Sequence, residues 1–237
     1  MTGAAPPPDV HPLDNAVWWA LGDRQRHLAR THGRARAYRE EVSVFAAVDS
    51  FDDGSWADLA ALVGPGGTGA LSRSSVPDPL PAGWTEELRG RGRQMVLGRE
   101  PMVDDGVAVR RLEEHDVPGM LELVAATRPG PFGPRTVETG RYWGHVEDGR
   151  LLAMAGERLA LDGWTEISAV CTAPEARGRG LASALTGHVA AAILERGGTP
   201  FLHVAVSNEP ARRLYDHLGF TERRLIEFVV LSPPGSG

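Results

Sequence analysis

With 237 residues, 42% apolar side chains and a formal charge of −6, the chain is long enough to bury a substantial core and lacks the basic excess of a general nucleic-acid binder. All 25 basic residues are arginines and Cys171 is the single cysteine, which excludes chemistry needing a lysine ammonium and any internal disulfide. No Cys/His cluster has zinc spacing, no run reaches the ~18 apolar residues of a membrane span, and Met1 to Pro8 lacks the basic and apolar stretches of a signal peptide; no metal, membrane or export is expected, and the compartment expected is the cytoplasm.

MTGAAPPPD and SPPGSG read as disordered ends, 1–12 and 232–237, because Pro, Gly and Ser bury too little surface to offset ordering. Between them the chain divides near Pro101 to Gly106, giving an expected N-terminal α/β domain at 13–105 and a second domain at 106–231. In the first half the pattern predicts a helix over Leu13 to Arg34, a strand over Val42 to Val48, a helix over Trp56 to Val63 and a strand over Gly92 to Leu97. GPGGTG at 64–69 and the proline run at 77–81 are turn punctuation, and Trp18-Trp19 reads as packing.

The second half is more regular. Val107 and Val109 alternate as a strand, then Asp116 caps a helix carrying Met120, Leu121 and Val124. Three strand-like runs, Arg141 to Val146, Leu151 to Leu161 and Trp164 to Thr172, are joined at Asp148-Gly149 and Asp162-Gly163, strong hairpin signals that predict an antiparallel meander. VCTAPEARGRGLASAL at 170–185 then opens a helix directly after a strand, with Leu181, Leu185, Val189 and Ile193 one turn apart. A strand at Phe201 to Val206, a helix at Asn208 to Leu218 and a strand at Leu225 to Leu231 complete the order β-α-loop-βββ-α-β-α-β.

A glycine-rich turn between strand and helix is an anion site, since unpaired backbone N–H groups and the positive end of the helix dipole point the same way. A nucleotide P-loop is excluded by the lack of lysine, and a dinucleotide fingerprint by the missing third glycine and the antiparallel strand before it. The stretch Arg177-Gly-Arg-Gly180-Leu-Ala182 instead resembles the Arg/Gln-x-x-Gly-x-Gly/Ala coenzyme A loop of the GNAT acyltransferases. LHVAVSNEPARRLYDHLGF at 202–220 resembles that family's second cofactor segment, and EISAVCTAPEARGRGLA its fourth strand and loop, with a glutamate placed as in the histone-acetylating branch. The likeness covers about 107–231 and is closest to the bacterial FR47-like branch.

The resemblance implies a GNAT fold: a mixed, mostly antiparallel sheet with flanking helices, whose fourth and fifth strands splay into a cofactor cleft. The size and alternation of the N-terminal half suggest a degenerate second GNAT-like unit. The cofactor implied is acetyl-CoA, with Val170, Cys171, Thr172, Arg177, Gly178, Arg179, Gly180, Leu181, Ala182, Ser183, Asn208 and Ala211 against it and the Val170 N–H near the acetyl oxygen. Glu166, sharing a strand face with Ser168, Val170 and Thr172, is the expected proton acceptor, and Tyr215 the expected donor to the departing thiolate. Glu157 is the substitute base, and with Arg135 and Thr136 is expected at the acceptor, beneath a lid at RPGPFGPRT, 128–136. Cys171 lacks a His partner and reads as core rather than as a nucleophile. The implied reaction is direct acetyl transfer to a primary amine of a small molecule or peptide; a longer acyl group, an amino-acid acceptor and a non-catalytic CoA-sensing module are the alternatives. A homodimer is compatible with the sequence.

Overall fold

The computed structural model describes residues 11–101 and 106–235. The expected disordered ends and the division near 101–106 therefore fall largely outside the described residues, although Pro12 already begins a 3-10 turn and Ser232 closes the last strand. No helix among the described residues is long and apolar enough to cross a membrane.

In the N-terminal half, α1 (Ala16–Gly22) is followed by β1 (Ala29–His32), β2 (Ala35–Tyr38), β3 (Ala46–Val48), α2 (Asp53–Val63), β4 (Gly69–Arg73) and β5 (Thr85–Leu97). The single helix expected over 13–34 ends at Gly22, and the chain turns instead through Gly33, whose φ of 49° lets β1 and β2 pair as a hairpin. Asp52 caps α2 by accepting a hydrogen bond from the Ser55 N–H at 2.9 Å. The second half follows the expected order: β6 (Arg110–Leu112), α3 (Val117–Thr127), β7 (Tyr142–Glu147), β8 (Arg150–Leu161), β9 (Trp164–Thr172), α4 (Leu181–Leu194), β10 (Thr199–Ala205), α5 (Glu209–His217) and β11 (Phe220–Ser232). Asp148 and Gly149, at φ 50° and 75°, make the tight turn that fixes the β7–β8 register.

Strands β1 to β3 form a small sheet of their own, while the other eight form one sheet in the order β4-β11-β5-β10-β9-β8-β7-β6. The expected division at 105–106 therefore does not separate two sheets. Strand β5, from the N-terminal half, lies between β10 and β11 and pairs antiparallel with both. The physical reason is that β10 and β11 each present an edge that only a long strand can satisfy, and β5 extends well beyond the expected 92–97 to meet β11 along its length. The N-terminal half thus supplies a three-stranded sheet of its own and two strands, β4 and β5, of the eight-stranded one.

Alternate residues of β10 enter different cores, as the pleat requires. Leu202 and Val204 pack with Met120, Leu185, Val189 and Tyr215 beneath the helices, whereas Phe201 packs with Leu13, Val17, Tyr38 and Phe45 beneath the N-terminal half. Trp18 and Trp19 lie against this second core, with the Arg36 guanidinium 3.5 Å from the Trp18 ring centre.

Candidate active site

Strands β9 and β10 run parallel and pair from Trp164 with Thr199 to Ile167 with Leu202; beyond that pair the ladder stops and the strands part. Two irregularities shape the gap. Cys171 pairs with Met154 where Ser168 pairs with Gly156, so Ala169 and Val170 bulge out of β9, with Ala169 at φ 54°. Glu157 pairs with Ile167 but Ala160 with Thr165, so Arg158 and Leu159 bulge out of β8. A cavity of about 1080 Å³ fills the gap. It runs from the loop before α4, past β9 and α5, to Phe45, Leu88, Gly90 and Phe228 on the side covered by the N-terminal half.

The loop is built by backbone conformation. Gly178 and Gly180 have φ of 78° and 76°, a region that side chains disfavour, and a Cβ at either position would meet nothing within 4 Å. Helix α4 starts with no side-chain cap, and its first turn begins with the Ala184 N–H bonded to the Gly180 carbonyl at 3.1 Å. The preceding N–H groups are left for a ligand at the positive end of the helix. Arg177 lines the cavity and has no ion-pair partner among the described residues. Thr172 adds a buried Oγ1 that has no partner among the described residues. Asn208 caps α5 by accepting from the Ala211 N–H at 3.2 Å.

Every residue expected against the cofactor lines the cavity except Arg179. Its guanidinium turns outward to Glu147, Nη1 to Oε2 at 2.8 Å. Tyr215 lies on the cavity wall, 8% exposed, and makes no hydrogen bond through its hydroxyl among the described residues. Burial, with the Cys171 sulfur nearby, pushes its pKa up to about 12, so the hydroxyl keeps its proton. Burial also holds the Cys171 thiol up at about 11, which keeps it protonated and poorly nucleophilic.

Glu166 does not line the cavity. It sits below the point where β9 and β10 part, has no exposed surface, and is paired with Arg158, Nε to Oε2 at 2.9 Å and Nη2 to Oε1 at 2.5 Å. His203 Nδ1 lies 2.7 Å from Oε1. Burial alone would raise this carboxyl, but Arg158 and His203 outweigh it and hold it at about 2. A carboxylate so held is a structural counter-ion, because accepting a proton would strand Arg158. Strict face alternation placed it in the cleft, and alternation ends at the Ala169 bulge. His203 does reach the cavity, but its Nε2 is 3.0 Å from the Gln94 amide nitrogen. That amide is oriented by Arg223, which donates to its Oε1 at 2.7 Å, so Nε2 accepts and Nδ1–H donates to Glu166.

The residues expected at the acceptor lie elsewhere. Arg135 pairs with Glu41 and Glu138, Thr136 is buried with its hydroxyl donating to the Val42 carbonyl, and Glu157 pairs with Arg196 at 2.6 Å near the end of α4. Of the expected lid, Arg128 to Pro131 line the cavity, Phe132 packs edge-on against Tyr142, and Arg135 and Thr136 bond to the N-terminal half. Arg158, Arg91, Phe45, Leu88 and Gly90, which line the far side, carried no signal in the sequence because long-range pairing of β5 and a bulge bring them there.

The model of the FR47-like protein family matches residues 142–229, which contain the split strands, the glycine loop and α5. Across 94% of its length the chain is similar to a GNAT-family protein from Novosphingobium aromaticivorans, at 39% identity, with 99% of that chain covered and a TM-score of 0.86. A GCN5-related N-acetyltransferase from Kribbella flavida shares the fold at 18% identity, with a TM-score of 0.63 over 94% of this chain and 96% of its own. No curated protein matches the sequence. Identity at that level over nearly the whole length, on a sheet opened between β9 and β10 beside a glycine loop, means that the chain belongs to the GNAT family of acetyltransferases.

Proposed function

We propose that the protein transfers an acetyl group from acetyl-CoA to a primary amine by direct attack within the cavity. The observation that carries this reading is the cavity itself, which connects the glycine loop on the helix side to a largely apolar space on the other side of the sheet. The residues present fit the cofactor: a side-chain-free loop at a helix start for the pyrophosphate, Arg177 for its charge, and the unpartnered Thr172 Oγ1 and bulged Ala169–Val170 backbone for the arm. When bound, it supplies an acyl carbon on a thioester. The amine nitrogen takes that carbon and gives up one proton, and the sulfur gains one, so no further reactant is needed.

Tyr215 holds its proton at working pH and donates a hydrogen bond towards the departing sulfur. Neither Asp nor Glu lines the cavity among the described residues, so the amine enters neutral and no carboxylate receives its proton. The rate should therefore rise with pH towards the pKa of the amine itself, near 10 for an alkylamine.

Calorimetry tests the cofactor site. Wild-type protein should bind one CoA per chain, and Gly180→Glu, which puts a side chain and a negative charge at the helix start, should abolish binding. Tyr215→Phe should bind CoA normally and lower turnover by roughly 100-fold or more, read as free thiol release. Normal CoA binding by Gly180→Glu would refute the reading.

A further inference from the structure

We propose that the acceptor is an amine that also bears a carboxylate, with an apolar α-amino acid as its simplest form, and that the Arg158 guanidinium holds that carboxylate. The inference rests on the transferase reading and names the substrate class of the same site.

The charge of the cavity wall points this way. In a protein of net charge −6, the charged side chains that line it are Arg91, Arg128, Arg158 and Arg177; no carboxylate lines it among the described residues, although Arg158 is paired with Glu166 and Arg91 lies 3.9 Å from Glu227. Arg177 belongs to the glycine loop, and Arg128 follows α3 on the helix side. Arg158 and Arg91 belong to the other end, where the acceptor would enter. A polyamine or a lysine side chain would bring positive charge to a wall whose lining charges are all arginines, at a cost that grows as water is expelled. A zwitterion offers an anion to the arginine and, once deprotonated, a neutral nitrogen to the acyl carbon.

Arg158 is built for this. Its Nε and Nη2 are committed to Glu166, and its side chain is 12% exposed. Nη1 has no hydrogen-bond partner among the described residues. The paired carboxylate and the Phe45 ring, 4.9 Å from the guanidinium carbon, lock the side chain in place, so a second carboxylate meets a pre-oriented donor. The surroundings complete the fit. Phe45, Leu88, Phe228 and Val230 supply apolar walls, and Gly90 opens room between them, since a Cβ there would meet nothing within 4 Å. His203 cannot offer a free acceptor to an ammonium, because Gln94 donates to its Nε2.

The experiment is a calorimetric titration of the full-length protein saturated with CoA, using leucine, leucinamide and isopentylamine, followed by turnover of the same three with acetyl-CoA. Leucine should bind at least about tenfold more tightly than the amide or the amine, as one charge-assisted hydrogen bond allows. Arg158→Lys keeps the charge beside Glu166 but loses the planar donor, and should erase that preference with CoA affinity unchanged. Gly90→Leu, remote from the ion pair, should weaken leucine binding by filling the apolar end. Equal or tighter binding of the amide or amine by the wild type would overturn the proposal, as would an unaltered leucine preference in Arg158→Lys. Failure of CoA to bind the wild type would instead strike the transferase reading beneath it.

Discussion

Glu166 was legible as a carboxylate on the strand that borders the cleft, and illegible as the buried partner of Arg158, because its setting depends on a bulge one strand away. Gly178 and Gly180 were readable because a left-handed backbone at a helix start is a local demand that the residue type announces. Arg135 and Thr136 were read from a Pro/Gly-rich loop and Glu157 from the preceding strand; Arg135 pairs locally with Glu138, but its bond to Glu41 and the partners of Thr136 and Glu157 are distant residues that no local pattern specifies. Glu166→Gln separates the two roles. Removing one member of a buried ion pair leaves the other charge uncompensated, so the variant should lose about 3–5 kcal/mol of stability by urea denaturation. Its residual activity on the true acceptor, measured well below its melting temperature, should keep the wild-type pH dependence. The sign of the acid effect follows from a carboxyl held at about 2 instead of 4.5: its contribution is complete above about pH 4.5 and disappears as pH falls towards 2. Wild type should therefore lose stability over that range more steeply than Glu166→Gln.

Hairpins β7–β8 and β8–β9, helix α4 and helix α5 stand where their turn residues and helical spacing put them. The expected strand at 92–97 was only the end of β5, since Gly90 and Gly92, interleaved with Arg89, Arg91 and Arg93, interrupt any alternation a reader could count. Those glycines follow from crowding and space: a Cβ on Gly92 would lie 2.9 Å from the Phe228 ring, while that of Gly90 would point into open cavity. Helix α5 is short, with Tyr215 its one buried residue, so its order depends on the Asn208 cap and on packing of that ring. Asn208→Ala should cost about 1 kcal/mol. The loss should appear as faster hydrogen exchange confined to α5, with a lower melting temperature and slower turnover because Tyr215 rides on the frayed segment. Unchanged exchange in α5 would show that tertiary contacts alone hold it.

The N-terminal half covers one side of the sheet with its own core and also contributes β4 and β5 to the sheet itself. Two units that share a sheet lose their cooperativity together, so calorimetric melting should give a single transition whose calorimetric and van't Hoff enthalpies agree. A fragment comprising 106–237 should fail to fold, as β10 and β11 would lose the strand that pairs with both and expose two open edges. A separate low-temperature transition, or a folded fragment, would contradict this account of the shared sheet. Family membership was readable from the glycine loop and α5, but the shared sheet was not, because the pairing of β5 with β10 joins residues about a hundred positions apart.

The interposed strand also bears on how the protein is made. During synthesis β5 leaves the ribosome long before either neighbour, and β11, which completes its pairing, ends at Ser232. A nascent chain must therefore carry an unpaired strand through most of its translation, and any product terminated before β11 retains that edge. Such fragments are the natural clients of chaperones and the natural seeds of aggregation.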